Sequence, residues 1–179
     1  MDILAVSGSL RKNSFNTALL KAAKNLAPNS MGVSIYDSLA AIPPFDPDIN
    51  EQNLPPIITD FRSRLAAVQG VIISTPEYAH GVPGVLKNAL DWLVASSEFV
   101  LKPVLVTSVS TTELGGLRAH GSLIATLSAM NTRVIVTGSV NVPFAKSKFN
   151  ADGELVDPLI RDSLMAALSI FEKAIEDDR

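Results

Sequence analysis

The chain contains no cysteine, only two histidines and no long apolar run. Without cysteine there is no disulfide and no thiolate metal site, and nothing calls for an oxidising compartment, so a cytoplasmic location is the expectation. The histidines, His80 and His120, stand forty positions apart and offer no histidine metal site. A nucleophile elbow is absent as well, because G-x-S-x-G does not occur. No stretch approaches the roughly 18 apolar residues of a membrane span, and Asp2 directly precedes the first brief apolar run with no basic region ahead of it, so neither a span nor a leader is expected. Charge of one sign is also lacking. Fifteen basic and 18 acidic residues are interspersed to a net −3, which leaves no footprint for nucleic acid or anionic lipid and favours a small-molecule partner.

What is present suits one domain over residues 1–179, since 179 residues at 47% hydrophobic composition can bury a full core. Five short β-branched runs recur, at Ile3–Ser7, Val33–Tyr36, Val71–Thr75, Val104–Ser108 and Val134–Thr137, each followed by helical spacing. Nearly continuous apolar runs mark strands buried on both faces, so five βα units with a parallel sheet are expected. Helix starts are read at Asn16 as a cap, near Pro83, and at Asp157-Pro158. Leu164, Leu168, Phe171 and Ile175 form the core stripe of the last helix. Residues 37–56 hold five of the eleven prolines without periodicity, a long loop that could border a site, while 141–153 is irregular and silent about chemistry. In such sheets ligands bind beyond the carboxyl ends of the strands, which directs attention to the loops after the first, third and fourth runs.

After the first run comes "GSLRKNSFN". Gly8 permits a sharp turn, Ser9, Ser14 and Asn16 offer short polar side chains, Arg11 adds a forked cationic donor, and the following helix adds free amides and a positive dipole end. The combination suits one phosphate monoester. The same residues also serve as ordinary turn and cap formers, with Lys12 and Asn13 solvated. Neither G-x-x-x-x-G-K-[ST] nor G-x-G-x-x-G is present, which argues against a nucleoside triphosphate or a bound dinucleotide pyrophosphate at this loop. After the third run, "TPEYAHGVPGVLKNALDWL" is stiffened by two prolines. It could present a rigid backbone edge and the Tyr78 ring to a flat heterocycle, or be a plain strand-to-helix turn with Tyr78 in the core. Leu86, Leu90 and Trp92 are read as core.

These two segments, "AVSGSLRKNSFNT" and the stretch from Thr75 to Leu93, resemble the signature segments of the NADPH-dependent FMN reductase family in order and separation, and the similarity runs from the first strand to the fifth. The resemblance implies a flavodoxin-like three-layer α/β sandwich, with a five-stranded parallel sheet in the order 2-1-3-4-5 and helices on both faces. It implies FMN as cofactor, NADPH or NADH as co-substrate, and a homodimer or homotetramer. By matching position, Ser9, Arg11, Ser14, Asn16 and Thr17 would hold the phosphate, and Pro76, Glu77, Tyr78, Ala79, His80 and Gly81 would border the isoalloxazine. In "SVSTTELGGLRAH", Ser108 and Ser110 would touch the flavin from the third loop, ahead of the Gly115-Gly116 pair, or the segment is a plain turn followed by a helix start. Many members carry asparagine and serine where this chain has Ala79 and Gly81, so two side-chain hydrogen bonds are missing here.

With FMN the cofactor carries the difficult chemistry, and the protein needs no nucleophile of its own. The resemblance implies a ping-pong oxidoreductase passing electrons from a nicotinamide to quinones, azo compounds, chromate or free flavin. His80, in the ring-bordering loop, is a candidate to donate a proton or touch the acceptor, and Arg118 is available for a 2′-phosphate or simply exposed to water. A flavodoxin-type electron carrier is the alternative. Its usual strong acidity and threonine-rich phosphate loop are absent. A flavin-binding sensor without useful turnover is a third reading, favoured only by Ala79 and Gly81.

Overall fold

The computed structural model describes residues 1–177. Strands β1 (Asp2–Ser7), β2 (Gly32–Tyr36), β3 (Gly70–Thr75) and β4 (Pro103–Val109) alternate with helices α1 (Phe15–Leu26), α2 (Pro56–Ala67) and α3 (Gly84–Asp91). Helix α4 (Leu117–Ala129), short strands β5 (Arg133–Val134) and β6 (Val140–Val142), and helix α5 (Pro158–Glu176) complete the chain. All pairings are parallel, in the order β2-β1-β3-β4-β5, with β6 also on β4.

The pleat explains the two cores. Ile3, Ala5, Ile72 and Leu105 face α1 and α5, whereas Leu4, Val6, Val71, Ile73, Val104 and Val106 face α2, α3 and α4. Every residue of β3 and β4 is buried, which is why both read as unbroken apolar runs rather than alternating ones. Helix α5 places Leu164, Leu168, Phe171 and Ile175 in the first core as its spacing requires, and Asp157 Oδ1 accepts from the Ile160 amide at its start.

Three expectations change. The fifth strand, read as Val134–Thr137, is divided: a 3-10 turn at Val136–Gly138 interrupts it, so that β5 pairs with the beginning of β4 and β6 with its end. Turn formers Thr137, Gly138 and Ser139 lie at the break. The cap of α1 is Ser14, whose Oγ accepts from the Thr17 amide at 3.4 Å, while Asn16 lies inside the helix. The long loop at 37–56 docks on α3 instead of on the carboxyl-edge loops. Asn88 Nδ2 and Trp92 Nε1 both donate to the Pro43 carbonyl, Asn88 Oδ1 accepts from the Phe45 amide, and the Phe45 and Trp92 rings meet edge to face at 5.2 Å.

Candidate functional site

The loops after β1, β3 and β4 enclose a cleft open to solvent. Ser9, Arg11, Ser14, Phe15 and Asn16 line one part, Pro76, Glu77 and Tyr78 another, and Val109, Ser110 and Thr111 a third. The position follows from topology: β1 and β3 are neighbours whose crossovers leave to opposite faces, so the loops part at their carboxyl ends. Gly8 makes a close approach at that parting: a Cβ there would stand 2.9 Å from Leu86 Cδ2 and 3.3 Å from Pro76 Cδ, so that the Leu86 side chain would have to shift.

At the first loop the donors converge. Ser9 and Ser14 are buried and Arg11 is exposed. The amides of Phe15 and Asn16 belong to the first turn of α1, which has no intrahelical acceptor for them. Serine hydroxyls, a guanidinium and a positive helix end are groups able to hold an anion.

The second loop is held from outside. Glu77 Oε2 accepts from the amides of Arg118 (3.0 Å) and Ala119 (3.1 Å), so a side chain 41 positions earlier caps α4. Burial alone would raise the Glu77 carboxyl. Hydrogen bonds from the Ala119 amide, His80 and the Arg118 amide, with the Arg118 charge, outweigh it and hold the group below its ordinary 4.5. His80 Nδ1 lies 2.7 Å from Arg118 Nη1 and 3.2 Å from Glu77 Oε1. That nitrogen can accept from the first or donate to the second, but not both. Tyr78 is half exposed and presents its ring at the mouth.

Beneath the cleft runs a hydrogen-bonded floor. Ser7 Oγ pairs with Thr17 Oγ1 at 2.8 Å, Thr75 Oγ1 donates to the Pro76 carbonyl at 2.9 Å, and Ser108 Oγ donates to the Gly115 carbonyl at 2.6 Å while accepting from Asn141 Nδ2 at 2.7 Å. Gly115 and Gly116 both take positive φ, 58° and 83°, and a Cβ on Gly115 would press on the Pro143 nitrogen at 3.0 Å.

Of the residues singled out from sequence, Ser9, Arg11, Ser14, Asn16, Pro76, Glu77, Tyr78 and Ser110 are brought together as lining. Thr17 and Ser108 lie in the floor with their hydroxyls engaged, and Ala79, His80 and Gly81 form a turn outside the lining. Phe15, Val109 and Thr111 line the cleft without having been singled out. Thr111 adjoins Ser110 in a polar run and could have been read. Val109, the last residue of an apolar strand, carried no signal. Among the described residues no cluster of metal-ligating side chains occurs, and no helix is long and apolar enough to cross a membrane.

A family model described as NADPH-dependent FMN reductase matches residues 1–147. An NAD(P)H-dependent FMN reductase of Pseudomonas aeruginosa is 32% identical over 174 residues, covering 96% of this chain and 94% of that protein. A quinone reductase of Escherichia coli is 33% identical over 180 residues, covering 98% and 96%. Among solved structures, FerB, a flavoenzyme NAD(P)H:(acceptor) oxidoreductase of Paracoccus denitrificans, superposes with a TM-score of 0.89 at 24% identity over 98% of this chain and 97% of that one.

Proposed function

The chain belongs to the NADPH-dependent FMN reductase family, and from that premise we propose that its cleft holds FMN and carries electrons from NADPH or NADH to a quinone or a similar small acceptor by a ping-pong route. The observation that carries this reading is the pairing of an anion site at the first turn of α1 with a proline-stiffened edge beside it, in one cleft.

The residues present fit the cofactor. Ser9, Ser14, Arg11 and the first-turn amides would hold the phosphate, with complementary charge and donors in excess. Pro76, Glu77 and Tyr78 would border the ring along the backbone, with Ser110 and Thr111 on the remaining side. Glu77, already engaged with α4, leaves that edge without a free carboxylate. When bound, FMN supplies hydride acceptance from the nicotinamide and onward reduction of the acceptor. The protein's own work is to bind, orient and exclude water. Tyr78 offers aromatic surface to a flat partner at the open side. The absence of side-chain donors at Ala79 and Gly81 leaves the ring edge to backbone contacts, a setting that admits acceptors of varied shape, azo compounds, chromate and free flavin included. His80, 71% exposed, stands within reach of solvent-borne acceptors.

A single cytoplasmic flavin domain assembled as a homodimer or homotetramer completes the proposal. The support for the assembly is the exposure of Leu114 and Phe144 on loops near the cleft and of Leu117 at the start of α4. The test is to purify the protein, identify its flavin, and follow NADPH and NADH oxidation with a quinone, an azo dye, chromate or FMN. Bound FMN with parallel-line kinetics in the two substrates is the expected result. Bound flavin without turnover would favour a carrier or sensor, and protein unable to take up FMN would remove the reading.

A further inference from the structure

Asn16 is the residue whose position departs furthest from its apparent task. It lines the cleft yet is 3% exposed, and its carboxamide is engaged at both ends. Oδ1 accepts from Ser74 Oγ at 2.9 Å and from the Val109 amide at 3.1 Å, and Nδ2 donates to the Val109 carbonyl at 3.0 Å. Both acceptor positions of Oδ1 are used and one N–H remains. Val109 supplies one donor and one acceptor, so the orientation of the amide follows from the network.

The reason lies in the sheet. The last β3–β4 partners are Thr75 and Ser108, after which β3 turns away at Pro76, a residue with no amide to give. Val109, one position farther along β4, would be left with an unpaired N–H and C=O on that side, which is costly for a buried group. The carboxamide of Asn16 has the shape and polarity of a peptide unit and takes the place of the missing strand residue. On its other side β4 is held by β6, through the Val109–Val142 pair and the Ser110 amide to the Val142 carbonyl at 3.0 Å. Ser110 and Thr111 therefore enter the cleft from a strand end clamped between β6 and the first turn of α1.

Resting on the flavin reading above, we propose that Asn16 is a positioning residue rather than a phosphate ligand: acting through Val109, it sets the distance between the phosphate end of the cleft and the third loop. The two roles separate by ligand. A phosphate ligand matters to FMN and not to riboflavin, whereas a spacer between loops matters equally to both. Titration of the flavin-free full chain with FMN and with riboflavin, followed by fluorescence, should show Asn16→Ala weakening both by the same factor, about tenfold or more, with their ratio as in the wild type. Arg11→Ala should weaken FMN alone and so calibrates the phosphate effect. Ser74 is fully buried and outside the lining, and Ser74→Ala should weaken both flavins by a smaller common factor, about threefold. That variant carries the test if Asn16→Ala does not fold. Loss of FMN binding alone in Asn16→Ala would make the residue a ligand and overturn the proposal. So would a lowered melting temperature with both affinities intact, which would reduce Asn16 to scaffolding. A wild-type chain that binds neither flavin would instead overturn the flavin reading itself.

Discussion

Tyr78 and Gly81 exchange both backbone hydrogen bonds, at 3.2 and 3.0 Å, around Ala79 and His80, whose φ angles are 48° and 64°. A two-residue turn with both central residues at positive φ belongs to Asn-Gly, and left-handed backbone costs an alanine or histidine roughly 1–2 kcal/mol each. The sequence thus keeps a strained pair beside its cleft, with His80 held against Arg118 and Glu77. Replacing the pair by Ala79→Asn with His80→Gly should raise stability by about 1–2 kcal/mol in chemical denaturation, and an unchanged midpoint would show that the contacts of His80 already offset the strain. Glu77 supports the same loop by a different means. Its carboxyl is held below 4.5 by the bonds to α4, so its contribution is complete above that pH and is lost as pH falls through the lower folded value. Glu77→Gln keeps one acceptor and removes the charge, and should cost about 1–2 kcal/mol at neutral pH, with less of a deficit in acid.

At the scale of elements, β1, β3, β4 and α5 were legible because each buries a continuous or strictly spaced apolar set. Elements that lean on partners were not. The fifth strand fails as one piece because a strand edge tolerates a 3-10 interruption, which short-range pattern does not reveal. Asn16 reads as a cap from its neighbours alone, since the groups that engage it, Ser74 and Val109, lie 58 and 93 positions away. Ser108 reads as a flavin contact at a strand end, while in the fold Gly115 and Asn141 engage its hydroxyl. Helix α4 hides a further cost. His120 is 4% exposed at the head of its core stripe, Nδ1 has no partner, and burial holds the imidazole below its ordinary 6.5. The unfolded chain therefore takes up a proton first as pH drops. Stability should hold above 6.5 and decline below it by up to about 1.4 kcal/mol per pH unit until the folded group titrates. His120→Leu should flatten that limb of the stability profile without loss at neutral pH, because an unpaired buried nitrogen gives way to apolar contact. A persisting slope would place its origin elsewhere.

For the molecule as a whole, the residues alone pointed to parallel βα units with an anion site beside a stiff edge, while the strand order and FMN were legible only through the resemblance of two short segments to a known family. The spacing of the third loop was not legible, because it is built from contacts between segments that are remote in sequence. The cleft draws its walls from loops on β1, β3 and β4, which the side chains of Asn16 and Glu77 help to tie together. A ligand touching all three adds ties that the unfolded chain cannot make, so it stabilises by mass action. FMN at 100 times its dissociation constant should contribute about 2.7 kcal/mol, a rise in Tm of about 5–10 °C for a chain of this size. Riboflavin at the same multiple should do as much, since only the fraction bound matters. At equal absolute concentration FMN should exceed riboflavin, and the excess should shrink in Arg11→Ala, where the phosphate has lost its guanidinium. Equal shifts from both flavins at equal concentration in the wild type would mean that the first loop holds no phosphate.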